Sequence, residues 1–108
     1  MKIEYDKAYL HELYEDGTCK NKKYKFQPQI VKKYQKRIDT FMAASRMEDL
    51  FVFRSLNMEA LHGDREGLFS VRIDKQYRME FSLRNGGAEG EDVSITIARI
   101  IELSNHYN

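Results

Sequence analysis

From Phe69 to Leu83 apolar and polar positions alternate with a period of two, broken once. Phe69, Val71 and Ile73 are apolar around Ser70 and Arg72; after Asp74-Lys75-Gln76, Tyr77, Met79, Phe81 and Leu83 alternate with Arg78, Glu80, Ser82 and Arg84. Such alternation predicts two strands, each with one buried and one wet face. Parity then sets the loop. A three-residue loop pairs Ile73 with Tyr77, Val71 with Met79 and Phe69 with Phe81, whereas two or four residues would set apolar positions opposite polar ones. In this register Arg72 stands opposite Arg78 on the wet face. Like charges directly opposite each other cost stability unless something anionic offsets them.

Elsewhere the period lengthens. Leu10, Leu13 and Tyr14 predict a helix over residues 7 to 16, stopped by Gly17. Ile30, Tyr34, Ile38 and Phe41 stack along one face of a longer helix from about Pro28 to Ala44, widened by Val31 and Met42, with Lys32, Lys33, Lys36 and Arg37 on the other side. Residues 2 to 5 predict a short edge strand, Thr18 to Phe26 a basic connector and Met47 to Phe51 a helical turn. An irregular or β lead-in follows through Leu56 and Leu61. Asn85 to Asp92, N-G-G-A-E-G-E-D, reads as a mobile hairpin connection. From Val93 to Leu103, Val93, Ile95, Ile97, Ile101 and Leu103 share one face and Ala98 and Ile100 the other. That pattern fits either a central strand covered on both sides or a bulge near Arg99. Helices first and antiparallel strands afterwards make the class α+β: an N-terminal helix pair packed on a small, mainly antiparallel twisted sheet.

At 108 residues the chain is expected to form a single domain, 1–108, with one core. A lone Cys19, no zinc-spaced Cys/His set and an N-terminus without a long apolar run point to a reducing cytoplasm, with no structural metal and no membrane span. The net charge of +1 conceals an asymmetry: Lys20 to Arg37 holds eight lysines and arginines and no acid. One anion-facing surface is expected there, with Lys22, Lys23, Lys32 and Lys36 as its contacts to nucleic acid; a solvated helix face is the plainer alternative.

RNA can be cut by making its own 2′-hydroxyl the nucleophile. This needs a proton acceptor, a proton donor for the departing 5′ oxygen, and cations for the charge that builds on phosphate. Arg72 and Arg78 supply forked cations suited to phosphate, unless Glu80 or Glu66 pairs with one of them. His106, with an ordinary pKa near neutral pH, is the leading acid/base candidate, though by position alone such a histidine is more often a tail residue. His62, just before Gly63-Asp64-Arg65, offers a second cation or proton acceptor, or is a plain loop residue. Arg65 reaches either backbone or RNA, and His11 is expected on the surface without a role.

The run L-H-G-D-R-E-G, then an aromatic with S-V-R-I, then after the turn an aromatic with R-M-E-F, resembles the HigB-type toxins of the RelE/ParE toxin superfamily, including the plasmid-maintenance killer proteins. The similarity spans residues 56 to 84 and more loosely 93 to 107. It implies a RelE-like fold and a toxin of a type II toxin–antitoxin system. The activity implied is a metal-independent, ribosome-dependent mRNA endonuclease (mRNA interferase) without organic cofactor. The family places a histidine at the C-terminal end of its active site, which implies a catalytic His106, joined by Arg72, Arg78, His62 and Tyr107. Two departures stand out: Asn105-His106-Tyr107 reverses the usual tyrosine-histidine order, and His62 replaces the usual lysine. The resemblance also implies a helix-turn-helix, HigA-like antitoxin, with operator DNA contacted only through it, and the ribosome and mRNA as further partners. A non-catalytic, ParE-like inhibitor of DNA gyrase is the alternative on the same fold.

Overall fold

The computed structural model describes residues 1–86 and 95–105. Their order is β1 (Lys2–Tyr5), α1 (Ala8–Asp16), α2 (Pro28–Ala43), α3 (Met47–Phe51), β2 (Glu59–Ala60), β3 (Phe69–Arg72), β4 (Tyr77–Gly86) and β5 (Ile95–Asn105), with 3₁₀ turns at Lys22–Tyr24, Arg54–Leu56 and Gly63–Arg65. The five strands form one mixed sheet in the order β1-β5-β4-β3-β2. Only β1 pairs parallel, against β5. The expected α+β class, helix pair, edge strand and lead-in are all present.

The hairpin follows its parity. Phe69 pairs with Phe81, Val71 with Met79 and Arg72 with Arg78. The backbone amides of Ile73 and Asp74 both donate to Tyr77 O, at 3.0 and 3.3 Å. Asp74 closes the loop with its side chain: Oδ1 accepts from the amides of Gln76 and Tyr77, both at 2.8 Å. A short acceptor beside its own backbone makes aspartate suited to this turn.

β5 is interior, and it carries a bulge. Glu80 pairs with Glu102 but Phe81 pairs with Ile100, so Ile101 is the extra residue. That single insertion reverses parity and brings Ala98, Ile100 and Leu103 onto one face, resolving the two-sided pattern of this segment. The bulge lies two residues beyond Arg99. Asn85 and Gly86 extend β4 against Thr96 and Ile95 rather than beginning a loop. A Cβ on Gly86 would run into the Ile97 side chain, so a larger residue there would displace it. The rest of the expected mobile connection, and Val93, lie outside the described residues.

One side of the sheet carries the core. Val71, Met79, Phe81, Ala98, Ile100 and Leu103 pack with Leu10, Leu13, Ile30, Tyr34, Ile38 and Phe41 of the two long helices. The rings of Phe41 and Phe81 meet edge to face at 4.8 Å. Replacing Phe81 by alanine would cost ~3–5 kcal/mol, the usual range for an aromatic truncated in a core. α1 ends as its sequence predicts, with Gly17 left-handed and its amide on Leu13 O. Buried hydroxyls fasten the layers: Tyr34 donates to Leu10 O at 2.6 Å, and Tyr9 Oη accepts from the Leu103 amide at 3.2 Å. Burial pushes the Tyr9 phenol up to about 12.

Candidate functional site

The other side of the sheet is polar, and it is less wet than alternation alone implies. Ser70, Arg78 and Glu80 point there, yet they are 4%, 7% and 5% exposed. For Arg78 part of the reason is local. Its Nη1 turns back over the hairpin loop and donates to Asp74 O at 3.1 Å and to Tyr77 O at 3.5 Å. For Glu80 the reason is a cation: Arg65 donates to it and to Glu102 Oε2 at 3.4 Å. These pairings correct the expectation of a solvated strand face.

Two like-charged cross-strand pairs therefore sit side by side on this face. Glu80 opposes Glu102, and Arg72 opposes Arg78. The acidic pair has its counter-ion in Arg65. The basic pair has none: no carboxylate among the described residues makes an ion pair with Arg72 or Arg78. Glu80 is committed to Arg65, so it does not answer Arg78, and Arg72 is exposed.

The turn that begins at His62 and carries Arg65 contains Gly63 and is closed by Gly67, both at positive φ. Residues 62 to 66 are all exposed. Their backbone bonds are local: Glu66 N to Gly63 O at 3.1 Å, Leu68 N to Arg65 O at 3.1 Å, and Leu61 N to Leu68 O at 2.9 Å.

The basic block borders the hairpin loop. The Phe26 ring meets Tyr77 edge-on at 5.5 Å. Arg37 Nε donates to Arg72 O at 2.8 Å, and burial lowers the Arg37 pKa. Arg37 was expected on the outer face of α2 with Lys32, Lys33 and Lys36. It instead reaches the carbonyl of one of the paired arginines, and nothing in its spacing distinguished it from its neighbours. Lys22 and Lys23 lie in the exposed 3₁₀ turn, where Lys23 sits 5.5 Å over the Tyr24 ring. Tyr24 stacks on Tyr9 at 3.8 Å, and Lys32 and Lys36 are exposed on α2.

At the β1 edge a mixed-charge network joins Glu4 to Arg84 at 2.7 Å and to Arg99 at 3.3 Å, and Arg99 to Asp6 at 3.0 Å. The Arg84 hydrogen bond lowers the Glu4 pKa. His11 is an exposed surface residue, stacked on Tyr5 at 4.7 Å and 3.5 Å from Glu15. The structure thus brings Arg72 and Arg78 together as a cross-strand pair, with Arg65 on the adjoining pair of carboxylates. His106 and Tyr107 lie outside the described residues. Alternation paired the arginines, but the acidic pair and its Arg65 bridge were missed, because the spacing that hints at a bulge near Arg99 does not fix the register that sets Glu102 against Glu80.

A helix pair backed on one face of a small mixed sheet is an arrangement seen in other proteins. A solved structure that shares it is the YoeB/ParE toxin from Agrobacterium tumefaciens, at 18% identity and a TM-score of 0.53, covering 99% of this chain and 100% of that one. At that identity the likeness is one of fold. The family is more specific. Residues 3–93 match the HigB-like toxin family, described as the RelE-like toxin of the type II toxin–antitoxin system HigB, and the chain belongs to it. No curated protein matches the sequence. Membership in a type II toxin family implies an antitoxin partner. Among the described residues no helix is long and apolar enough to cross a membrane.

Proposed function

We propose that this toxin cuts translated mRNA on the ribosome by activating the RNA's own 2′-hydroxyl. The observation that carries the reading is the unanswered arginine pair: Arg72 and Arg78 are cross-strand neighbours without a carboxylate counter-ion among the described residues, while the adjoining carboxylates are bridged by Arg65. A scissile phosphate is an anion of suitable charge and geometry for that pair. Arg72 is free to approach it from solvent. Arg78 is braced through Nη1 by the loop carbonyls, which leaves the other donors of its fork for an anion.

As the 2′ oxygen attacks, negative charge grows on the phosphate, and cations already in place stabilise it more than they stabilise the ground state. The new P–O2′ bond forms as the P–O5′ bond breaks, leaving a 2′,3′-cyclic phosphate and a 5′-hydroxyl; His106, helped by His62 or Tyr107, takes the 2′ proton and supplies one to the departing 5′ oxygen. This chemistry takes no metal or organic cofactor. Lys22, Lys23, Lys32 and Lys36 dock on ribosomal RNA, next to the loop end of the hairpin. The antitoxin is a helix-turn-helix, HigA-like protein that holds the operator DNA, and the toxin works in the cytoplasm.

The test is single-turnover cleavage of mRNA on programmed ribosomes. Wild type should cut, and Arg72→Ala and Arg78→Ala should each cut far more slowly. Toxicity that arrests replication while mRNA stays intact would replace this reading with that of a gyrase-directed inhibitor.

A further inference from the structure

Glu80 is the least expected residue on the polar face. It is a carboxylate 5% exposed, paired across the strands with a second carboxylate, Glu102. Two opposed acids cost stability, and burying one raises that cost. A sheet selected for stability alone would gain more from apolar residues at both positions. What the pair obtains is a grip on Arg65, which bonds both carboxylates from a turn otherwise held by local backbone bonds. That turn begins at His62, the residue before the 3₁₀ segment Gly63–Arg65. The grip also lies beside the arginine pair: Glu80 is two residues along the same face from Arg78, and its β3 partner Ser70 is two from Arg72.

We infer that Glu80 and Glu102 are positioning residues, which hold the His62–Glu66 turn through Arg65 against the same polar face that carries the phosphate-binding arginines. This rests on the nuclease reading above. Arg65 itself serves as a tether more than as an RNA contact, because both carboxylates already answer its charge. A turn with two glycines and without the tether would sample many positions. Loss of alignment by about an ångström is enough to slow a positioned reaction on the order of 100-fold.

The test compares Arg65→Gln with the double variant Arg65→Gln/Glu80→Gln, which removes the buried carboxylate that the single change leaves unpaired and so keeps the fold if the single change does not. Amide hydrogen exchange, ribosome affinity and single-turnover cleavage are measured on each. The amides of residues 65, 66 and 68 should exchange at least ~10-fold faster while those of Met79, Phe81 and Ile100 keep their protection. Cleavage should fall on the order of 10- to 100-fold with ribosome affinity unchanged, and Arg65→Lys should restore part of it. Unchanged exchange in the turn would overturn the tether. Faster exchange with full cleavage would overturn the positioning role, as would loss of strand protection in both variants. A wild-type protein that leaves programmed ribosomes uncut would overturn the nuclease reading and the positioning role with it, while the exchange data would still decide whether the tether exists.

Discussion

Adjacent cross-strand pairs on one face of β4 pose the same electrostatic problem and meet it differently. Glu80 and Glu102 are bridged by Arg65, a counter-ion from the chain itself. Arg72 and Arg78 have no carboxylate partner among the described residues, although two acids stand in the adjoining pair. A like-charged pair with its own counter-ion is a structural device. One without it is left with an unfavourable energy that an anion would relieve, which is what the proposed phosphate site asks of the basic pair.

The largest expected effect sharpens the contrast by adding proton transfer to electrostatics. His106→Ala should lower single-turnover cleavage by about 100- to 10,000-fold, the range for general acid–base groups, and flatten the pH–rate profile between about pH 5 and 8. Full activity in that variant would move the proton to His62 or Tyr107. Next come the arginines. Arg72→Ala and Arg78→Ala should each remove about 2–4 kcal/mol of transition-state stabilisation, with lysine restoring only part, since it keeps charge without the fork. Their stabilities should diverge. Exposed Arg72 should change the unfolding free energy by no more than ~0.5 kcal/mol, whereas buried Arg78, which braces the loop carbonyls, should cost more. Arg72→Glu breaks the comparison outright by giving Arg78 the counter-ion it lacks: Tm should hold or rise while cleavage collapses. A marked fall in Tm would show that the basic pair is not the unsatisfied element.

The acidic pair should behave in the opposite sense. Arg65→Ala should destabilise the fold by about 1–3 kcal/mol in urea titration, because Glu80 is left buried with its charge unanswered, and Arg65→Ala/Glu80→Gln should recover much of that. Smaller again are the lysines. Charge reversal at Lys22, Lys23, Lys32 or Lys36 should weaken ribosome association and reduce its salt slope by roughly one for each phosphate no longer neutralised, with Tm unchanged; an unaltered slope would assign them to solvation. Smallest is the mixed-charge cluster at the β1 edge. Glu4 is held below its ordinary pKa by Arg84 and then Arg99, so its contribution is present above the unfolded carboxylate pKa and is lost as pH falls through the folded value. Glu4→Gln should therefore leave neutral-pH stability nearly unchanged and slightly weaken its dependence on acid, as exposed ion pairs do.

Much of this molecule is legible in its chain. Periods of 3.6 and 2 located the two long helices and the hairpin, Gly17 ended α1, and parity alone set the three-residue loop and placed Arg72 opposite Arg78. Those are local consequences of backbone geometry, so the residues that produce them are neighbours in sequence. Membership in the toxin family likewise follows from residues along the chain. What the sequence could not determine is whatever joins distant segments. Only the assembled sheet set Glu102 against Glu80, because one bulged residue, Ile101, reverses the facing of everything beyond it. Only the packed structure brought Arg65 across to both acids and Arg37 to the Arg72 carbonyl, and buried Arg78 and Glu80 on a face that alternation marks as wet. Alternation reports which side of a strand a residue occupies; whether that side meets water or a counter-ion depends on chain that arrives from elsewhere.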